Sequence, residues 1–176
     1  LADARGREVQ RTVNLKVKFR ESFRPFAPSV VAERAAEFFD LDAPSPYMLL
    51  VAPVQNATVE GEGLGQLGSV GGPIPAVTHV DGSARVQTVD GEHNPLFHAL
   101  LSAFGERTGT PVLVNTSFNV RGEPIVATPQ DAYRCFRATH LDALVLGRFV
   151  LEKSAIPGAE SETLTPEQIA QTYGLD

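Results

Sequence analysis

The sequence has one cysteine, one methionine and no tryptophan, and aromatic residues make up only 7% of its 176 residues. The lone Cys135 excludes a disulfide framework within the chain and a cysteine-ligated zinc site. No apolar run approaches the roughly 20 residues of a membrane span, and the first residues have no signal-peptide pattern. The sequence therefore predicts a cytoplasmic protein that does not enter a membrane.

Positive charge is also scarce, because the chain carries a net charge of −6. That balance argues against general binding to nucleic acid or to an anionic membrane. The basic residues are unevenly placed: residues 1–24 hold seven basic and three acidic side chains, whereas the remainder holds eight basic and eighteen acidic ones. Such a distribution predicts either a solvated basic surface or a local site that attracts anions.

A strict alternation of polar and apolar residues runs over 14–20 within this basic segment. Period-two alternation predicts a half-buried β-strand. Leu15, Val17 and Phe19 would then face a core, and the opposite face would carry Lys16, Lys18 and Arg20.

The rest of the chain alternates predicted strands and helices. Strands are predicted at 47–54 (buried on both faces), 76–80, 84–89, 111–114, 144–146 and 149–151, with 76–80 and 84–89 joined as a hairpin. Helices are predicted over 31–39 with Ser29 as N-cap, from Pro95 with Leu96, Leu100 and Phe104 as the buried stripe, and from Pro129 with Thr128 as cap. This order indicates a mixed, twisted α/β sheet with flanking helices in one domain, residues 1–156, followed by an acidic tail, residues 157–176.

Two familiar types of site are not supported by their context. Gly63, Gly65 and Gly68 match the glycine spacing of a dinucleotide fingerprint, but the segment that follows cannot open a helix. These glycines belong to a glycine-rich loop at 55–75, which is a candidate lid. The four histidines lack the helical spacing of metal ligands, so no metal site is predicted in this chain.

Two features are compatible with a phosphate-containing ligand. Asn115-Thr116-Ser117 follows a buried strand, where hydroxyl and amide groups of open α/β sheets meet ligands, although a plain turn would use the same residues. Arg85 is the only basic residue between Arg34 and Arg107, and it could equally form a surface ion pair. Arginine, lysine and hydroxyl groups together suit phosphate oxygens.

Three separated blocks resemble the C-terminal domain of the NodU/CmcH-type O-carbamoyltransferases. The first runs from Asn14 to Pro28, the second is Val77-Thr78-His79-Val80-Asp81-Gly82-Ser83-Ala84-Arg85-Val86-Gln87, and the third is Asn115-Thr116-Ser117-Phe118-Asn119 with Glu123-Pro124-Ile125-Val126. The blocks occur in the family's order and span most of residues 1–150.

The resemblance implies a YrdC-like α/β fold that binds ATP and carbamoyl phosphate and forms carbamoyl-adenylate. A second, N-terminal transferase domain of such enzymes holds an iron or other metal and passes the carbamoyl group to the hydroxyl of a small-molecule acceptor, in natural-product or nodulation-factor biosynthesis. Mg²⁺ is expected with the nucleotide. The resemblance assigns catalytic and phosphate-binding roles to Lys18, Arg24 and Arg85. It implies a nucleotide or carbamoyl pocket that also includes Thr78, Asn115, Thr116 and Ser117.

The family's glycine-rich, arginine-containing motif would precede Leu1, so the chain is expected to be a domain cut within that motif and unable to complete carbamoyl transfer alone. Two other functions remain open. One is a YrdC-type threonylcarbamoyl-AMP synthase in tRNA modification, against which the acidic charge argues. The other is a non-catalytic module that binds a phosphate or nucleotide.

Overall fold

The computed structural model describes residues 1–61, 70–159, 163–165, 167–168 and 171. Contacts divide the chain into two compact units. The first unit comprises residues 1–10 and 23–116, and the second comprises residues 11–22 and 117–176. Among the described residues, no helix is long and apolar enough to cross a membrane.

The first unit is built on a five-stranded mixed sheet, which confirms the predicted fold class. Its strands are β1 (Ala2–Asp3), β2 (Ala27–Val31), β3 (Leu50–Pro53), β6 (Ser83–Val89) and β7 (Val112–Asn115), in the order β1-β7-β2-β6-β3. Strands β2 and β6 run parallel, and every other neighbouring pair is antiparallel. A separate two-stranded ladder joins β4 (Thr58–Val59) to β5 (Val70–Gly71).

Helix α2 (Pro95–Thr108) covers part of one sheet face. Its buried Leu101 packs with Val31, Val89 and Leu113, and half-buried Phe97 and Phe104 extend this cluster. The predicted cap is confirmed, because the Asn94 side chain accepts a hydrogen bond from the Phe97 backbone N–H. The predicted stripe is wrong at two positions, since Leu96 and Leu100 are 79% and 48% exposed.

The second unit contains the end of α1 (Val9–Val13), a π-helical turn (Asn14–Lys18), helix α3 (Pro129–Ala138) and a hairpin of β8 (Ala143–Leu146) with β9 (Phe149–Glu152). Ala132, Phe136 and Leu144 form the core between α3 and the hairpin. The predicted Thr128 cap is confirmed, and Asp131 completes a capping box with it. The strands predicted at 144–146 and 149–151 are confirmed as β8 and β9.

The strand predicted over 14–20 is wrong, because these residues are helical up to Lys18 and Phe19 ends the helix in the left-handed region (φ 49°). The buried side chains are Asn14 and Lys18, four residues apart, whereas Leu15 is 42% exposed. Residues four apart lie on the same face of a helix, so Asn14 and Lys18 are buried together, and both find hydrogen-bond partners. The alternation of Leu15, Val17 and Phe19 in the sequence does not indicate this arrangement.

Three further predictions of local structure are wrong. Ser29 lies inside β2, and only a short 3₁₀ helix (Ala32–Glu37) follows that strand. A strand does form within the apolar run at 47–54, as β3, but its predicted burial on both faces is wrong. It is an edge strand that pairs only with β6 among the named strands and leaves Val51 60% exposed. Segment 76–80 is not a hairpin partner of β6, because Pro75–Val77 form a 3₁₀ helix anchored by the Ala76 N–H on the Ala4 carbonyl.

The domain boundary at residue 156 and the YrdC-like character of the fold stay predictions. The Gly63, Gly65 and Gly68 fingerprint lies outside the described residues, as does the middle of the candidate lid, residues 62–69. The described remainder of 55–75 contains the ladder of β4 with β5.

Gly105 offers a direct test of packing in the first unit. A Cβ at this buried position of α2 would lie 2.7 Å from Pro111 Cβ and 3.2 Å from Pro111 Cα. Overpacking of this kind costs about 1–3 kcal/mol, against up to about 1 kcal/mol gained from better helix propensity. We expect Gly105→Ala to lower the free energy of unfolding in urea. Ser102→Ala, on the same helix, serves as the control and should leave stability unchanged or slightly raised; a Gly105→Ala protein as stable as this control would contradict the packing described.

Candidate functional site

A row of hydrogen-bonded polar side chains lies on one face of the first unit's sheet, where β7, β2 and β6 are neighbours. The Ser29 hydroxyl lies 2.6 Å from Gln87 Oε1, and Asn115 Nδ2 lies 3.0 Å from Ser29 Oγ and 2.9 Å from Gln87 Oε1. Gln87 Nε2 in turn donates to the Pro46 carbonyl at 3.1 Å. Ser29 is fully buried, whereas Asn115 and Gln87 are half-buried. We call Ser29, Gln87 and Asn115 the amide row.

The strand register places Arg85 on the same face as the amide row. Ser29 is paired with Gln87, so continuing the parallel register by two residues sets Ala27 beside Arg85, and Ala27 is also paired with Asn115. Residues opposite each other on neighbouring strands share a face of the sheet. The exposed Arg85 and the half-buried Asn115 therefore flank the small, buried Ala27.

A cavity of about 250 Å³ lies elsewhere in the first unit. It combines apolar walls with one guanidinium, one amide, one hydroxyl and one imidazole, supplied by Arg7, Gln10, Thr78 and His79; the apolar lining is Phe23, Pro25, Val70, Pro75 and Val80. Gln10 Nε2 donates to the backbone carbonyls of Phe23 and Arg24, both at 3.2 Å, and so holds the loop before β2. An enclosed apolar space with a few polar groups is the usual form of a small-molecule site.

His79 presents a defined tautomer to this cavity. The Ser83 hydroxyl donates to Asp81 Oδ1 at 2.6 Å, so its oxygen accepts from His79 Nδ1 at 3.1 Å. Burial lowers the pKa of His79, with the nearby Asp81 raising it and Arg85 lowering it further. A neutral imidazole with its proton on Nδ1 leaves Nε2 as a hydrogen-bond acceptor or a base.

The second unit holds a buried lysine whose ammonium group is surrounded by oxygen atoms of Ser117 and Asn119. Lys18 Nζ donates to Ser117 O at 2.6 Å, Ser117 Oγ at 3.0 Å, Asn119 O at 3.0 Å and Asn119 Oδ1 at 2.8 Å. The side chain is only 4% exposed, and burial, followed by the nearby charge of Arg20, lowers the pKa of Lys18 to about 8. Because an ammonium has three protons, a phosphate oxygen would reach Nζ only by replacing one of these acceptors.

The residues singled out from the sequence thus fall into separate groups. Lys18 and Ser117 are in direct contact in the second unit. In the first unit, Arg85 and Asn115 share a sheet face, while Thr78 lines the cavity and donates its hydroxyl to the Ile74 carbonyl at 2.9 Å. Arg24 is exposed and lies next to the Gln10 contact, and half-buried Thr116 directly follows β7.

Several polar residues of these groups were missed by sequence reasoning. Ser29 was interpreted as a helix cap, and Gln87 reads as an ordinary strand residue. His79 and Asn119 lie within the blocks that carry the family resemblance, next to Thr78 and close to Ser117. Arg7 was counted only as part of the basic segment. His79, Asn119 and Arg7 could have been found, because each stands near other selected or basic residues in the sequence.

The described residues contain no group of three or more histidine, cysteine, aspartate or glutamate side chains placed to hold a metal ion.

The first unit is thus a mixed α/β sheet that carries an exposed arginine and a row of hydrogen-bonded polar side chains on one face. Residues 1–153 match the family described as carbamoyltransferase C-terminus, and the chain belongs to this family.

Individual relatives agree with this assignment. The chain is 52% identical to an uncharacterized protein of Synechocystis sp. over 96% of its own length and 29% of the relative's. It is 45% identical to nodulation protein NolO of Bradyrhizobium diazoefficiens over 87% of the chain and 26% of that protein. It is 39% identical to the 3'-hydroxymethylcephem-O-carbamoyltransferase of Amycolatopsis lactamdurans over 75% of the chain and 23% of that protein. The chain therefore spans less than a third of each of these relatives.

The buried lysine makes stability depend on pH in a defined direction. Its pKa is about 8 in the folded protein and close to 10.5 when exposed, so between these values the unfolded chain binds more protons. Stability contributed by Lys18 therefore rises with pH across this window, by up to about 1.4 kcal/mol per pH unit. We expect Lys18→Met to remove this rise from the free energy of unfolding measured in urea between pH 8 and 10.5.

Lys153, whose pKa is also lowered, contributes to the pH dependence with the same sign, so the quantity to compare is the difference in slope between proteins. Lys16→Met, which removes an exposed lysine two residues away, is the matched control and should keep the slope of the parent. An unchanged slope in Lys18→Met would show that Lys18 titrates as an exposed lysine.

Proposed function

We propose that this chain is the part of an O-carbamoyltransferase that binds ATP and carbamoyl phosphate and forms carbamoyl-adenylate. The observation that carries the proposal is the family match over residues 1–153, together with relatives named as O-carbamoyltransferases. Asn115 and Arg85 on the sheet face, and the cavity with Arg7 and His79, supply the chemical groups that such ligands require.

The proposed chemistry balances without a redox partner. Water cleaves carbamoyl phosphate to carbamate and inorganic phosphate. A carbamate oxygen then bonds to the α-phosphorus of ATP, and the bond from that phosphorus to the bridging oxygen breaks, so pyrophosphate leaves. Negative charge accumulates on the departing phosphates, and fixed cations held away from water stabilise it.

Each basic residue has a place in this proposal that follows from its surroundings. Arg85 is exposed on the sheet face and forms no ion pair with the described part of the chain, so its planar guanidinium suits a phosphate of either substrate. Arg24, exposed before β2, is a second phosphate ligand in the proposal. In the second unit, Lys18 orders the turn at Ser117 through its four hydrogen bonds. Asn115 and Thr116 supply hydrogen-bonding groups at the end of β7, and Thr78 supplies its hydroxyl oxygen to the separate cavity.

Mg²⁺ would enter with ATP as part of the substrate and would neutralise part of the charge on the phosphates.

The remainder of the enzyme would lie outside the matched region, because this chain spans about a quarter of the length of its named relatives. We propose that another domain of the same polypeptide receives carbamoyl-adenylate and transfers the carbamoyl group to the hydroxyl of a small molecule. The use of ATP and a labile carbamoyl donor favours a cytoplasmic setting.

Calorimetry on the chain tests the binding step. We expect a carbamoyl phosphate analogue, and separately a non-hydrolysable ATP analogue with Mg²⁺, to bind, and Arg85→Ala to weaken binding of at least one ligand by about tenfold or more, the scale of a charge-assisted hydrogen bond. Arg34→Ala is the matched control, because Arg34 is a half-exposed arginine of the same unit that pairs with Glu37. It should bind like the parent.

Pyrophosphate release then separates the alternatives. Release that requires carbamoyl phosphate supports an adenylate-forming domain, whereas binding with no release indicates a phosphate-binding module. Equal binding by the parent and Arg85→Ala would remove Arg85 from the site. Release driven by threonine and bicarbonate, together with tRNA binding at physiological salt, would instead indicate the tRNA-modification function.

A further inference from the structure

Each hydrogen bond of the amide row has a fixed donor and a fixed acceptor, because one end of the row is the Pro46 carbonyl. A carbonyl oxygen can only accept, so the side-chain group of Gln87 that faces Pro46 must be its NH₂. Gln87 Oε1 is thereby turned toward Ser29 and Asn115. The amide of Gln87 cannot be reversed without setting two acceptor oxygens against each other.

The amide orientation of Gln87 in turn fixes the amide orientation of Asn115. Because Gln87 Oε1 is an acceptor, Ser29 must donate its hydroxyl proton to it, which leaves Ser29 Oγ as an acceptor. Neither oxygen has a proton left to donate, so Asn115 must face them with its NH₂, whose Nδ2 lies 3.0 Å from Ser29 Oγ and 2.9 Å from Gln87 Oε1. Since the two oxygens are only 2.6 Å apart, they share one N–H of Asn115, and its Oδ1 is turned away from the row.

The anchor itself is held rigidly. Ser45, which precedes Pro46, donates its hydroxyl to the Val86 carbonyl at 2.8 Å, and its N–H donates to Thr88 Oγ1 at 2.8 Å. These two bonds flank Gln87 on β6, and Ser45 is only 3% exposed. The Pro46 carbonyl is therefore fixed relative to the strand whose side chain it orients.

We infer that Ser29 and Gln87 are positioning residues, which hold Asn115 Oδ1 ready to accept a hydrogen bond from the NH₂ of a carbamoyl group and so select carbamoyl over acyl ligands. This inference rests on the proposed function, since it names how that substrate is recognised. Arg85 lies two strands from Asn115, about 10 Å between backbones, with only Ala27 between them. This separation leaves room over Ala27 for a ligand with a phosphate at one end and a carbamoyl amine at the other.

An oriented acceptor discriminates between an amine and a methyl group of nearly equal size. An acyl phosphate would place its methyl group against Asn115 Oδ1, leaving that oxygen without a donor when water is displaced. Arg85 cannot make this distinction, because both ligands carry the same phosphate.

The test compares two stable phosphonates by calorimetry on the whole chain. Phosphonoacetamide carries the carbamoyl NH₂, and phosphonoacetone carries a methyl group in its place. We expect the parent to bind phosphonoacetamide about tenfold more tightly, the scale of one hydrogen bond to a properly held acceptor. The ratio of the two dissociation constants is the quantity reported.

Gln87→Leu and Ser29→Ala remove the orienting contacts without touching the proposed ligand. We expect the ratio to fall toward one in Gln87→Leu, and partly in Ser29→Ala, because there Gln87 still accepts from Asn115. Affinity for phosphonoacetone should stay within about twofold of the parent. Both ligands are titrated into the same preparation, so an unfolded fraction cancels in the ratio. Arg85→Ala is the contrasting variant: it should weaken both ligands and preserve the ratio.

The outcomes separate the inference from the proposed function. If the parent binds neither phosphonate, the proposed function fails and the inference fails with it. If the parent binds both equally, phosphonate recognition stands and the role of Asn115 is overturned. If the parent discriminates and both Gln87→Leu and Ser29→Ala keep the full ratio, the positioning role of the amide row is overturned.

Discussion

The need to satisfy buried hydrogen-bonding groups decides the details of this structure more than its hydrophobic pattern does. Ser29 and Lys18 are both nearly inaccessible to solvent, and each would be costly to bury without partners. Ser29 finds partners on the neighbouring strands, and Lys18 finds them in the turn after β7. Each of these polar side chains therefore dictates how neighbouring chain segments must be placed.

The same requirement explains which elements could be predicted. Helices α2 and α3 begin where Asn94 and Thr128 cap them, because a cap is a local event between residues three positions apart. The strand prediction for residues 14–20 failed, because the hydrogen-bond partner of Lys18 is about 100 positions away in the sequence. Alternation of three apolar residues is a weak signal beside four hydrogen bonds to a buried ammonium.

The candidate site was predictable in its cations and hydroxyls and not in its supporting amides. Arg85 was conspicuous as a lone basic residue, and the Asn115-Thr116-Ser117 turn as a polar end to a buried strand. Gln87 had no such mark, because its importance comes from the parallel pairing of β2 with β6 and from the Pro46 carbonyl. Strand order is a property of the whole sheet, and the predicted hairpin had assigned β6 a different neighbour.

Charged and neutral groups have different tasks in a site of this kind. A guanidinium such as that of Arg85 attracts every phosphate with similar strength, so it contributes affinity and association rate rather than selectivity. Selectivity between ligands of the same charge requires a neutral group whose donor and acceptor ends cannot exchange. An isolated asparagine can rotate its amide to suit either partner. A chain of hydrogen bonds that ends on a backbone carbonyl removes this freedom, because the backbone group itself cannot reverse.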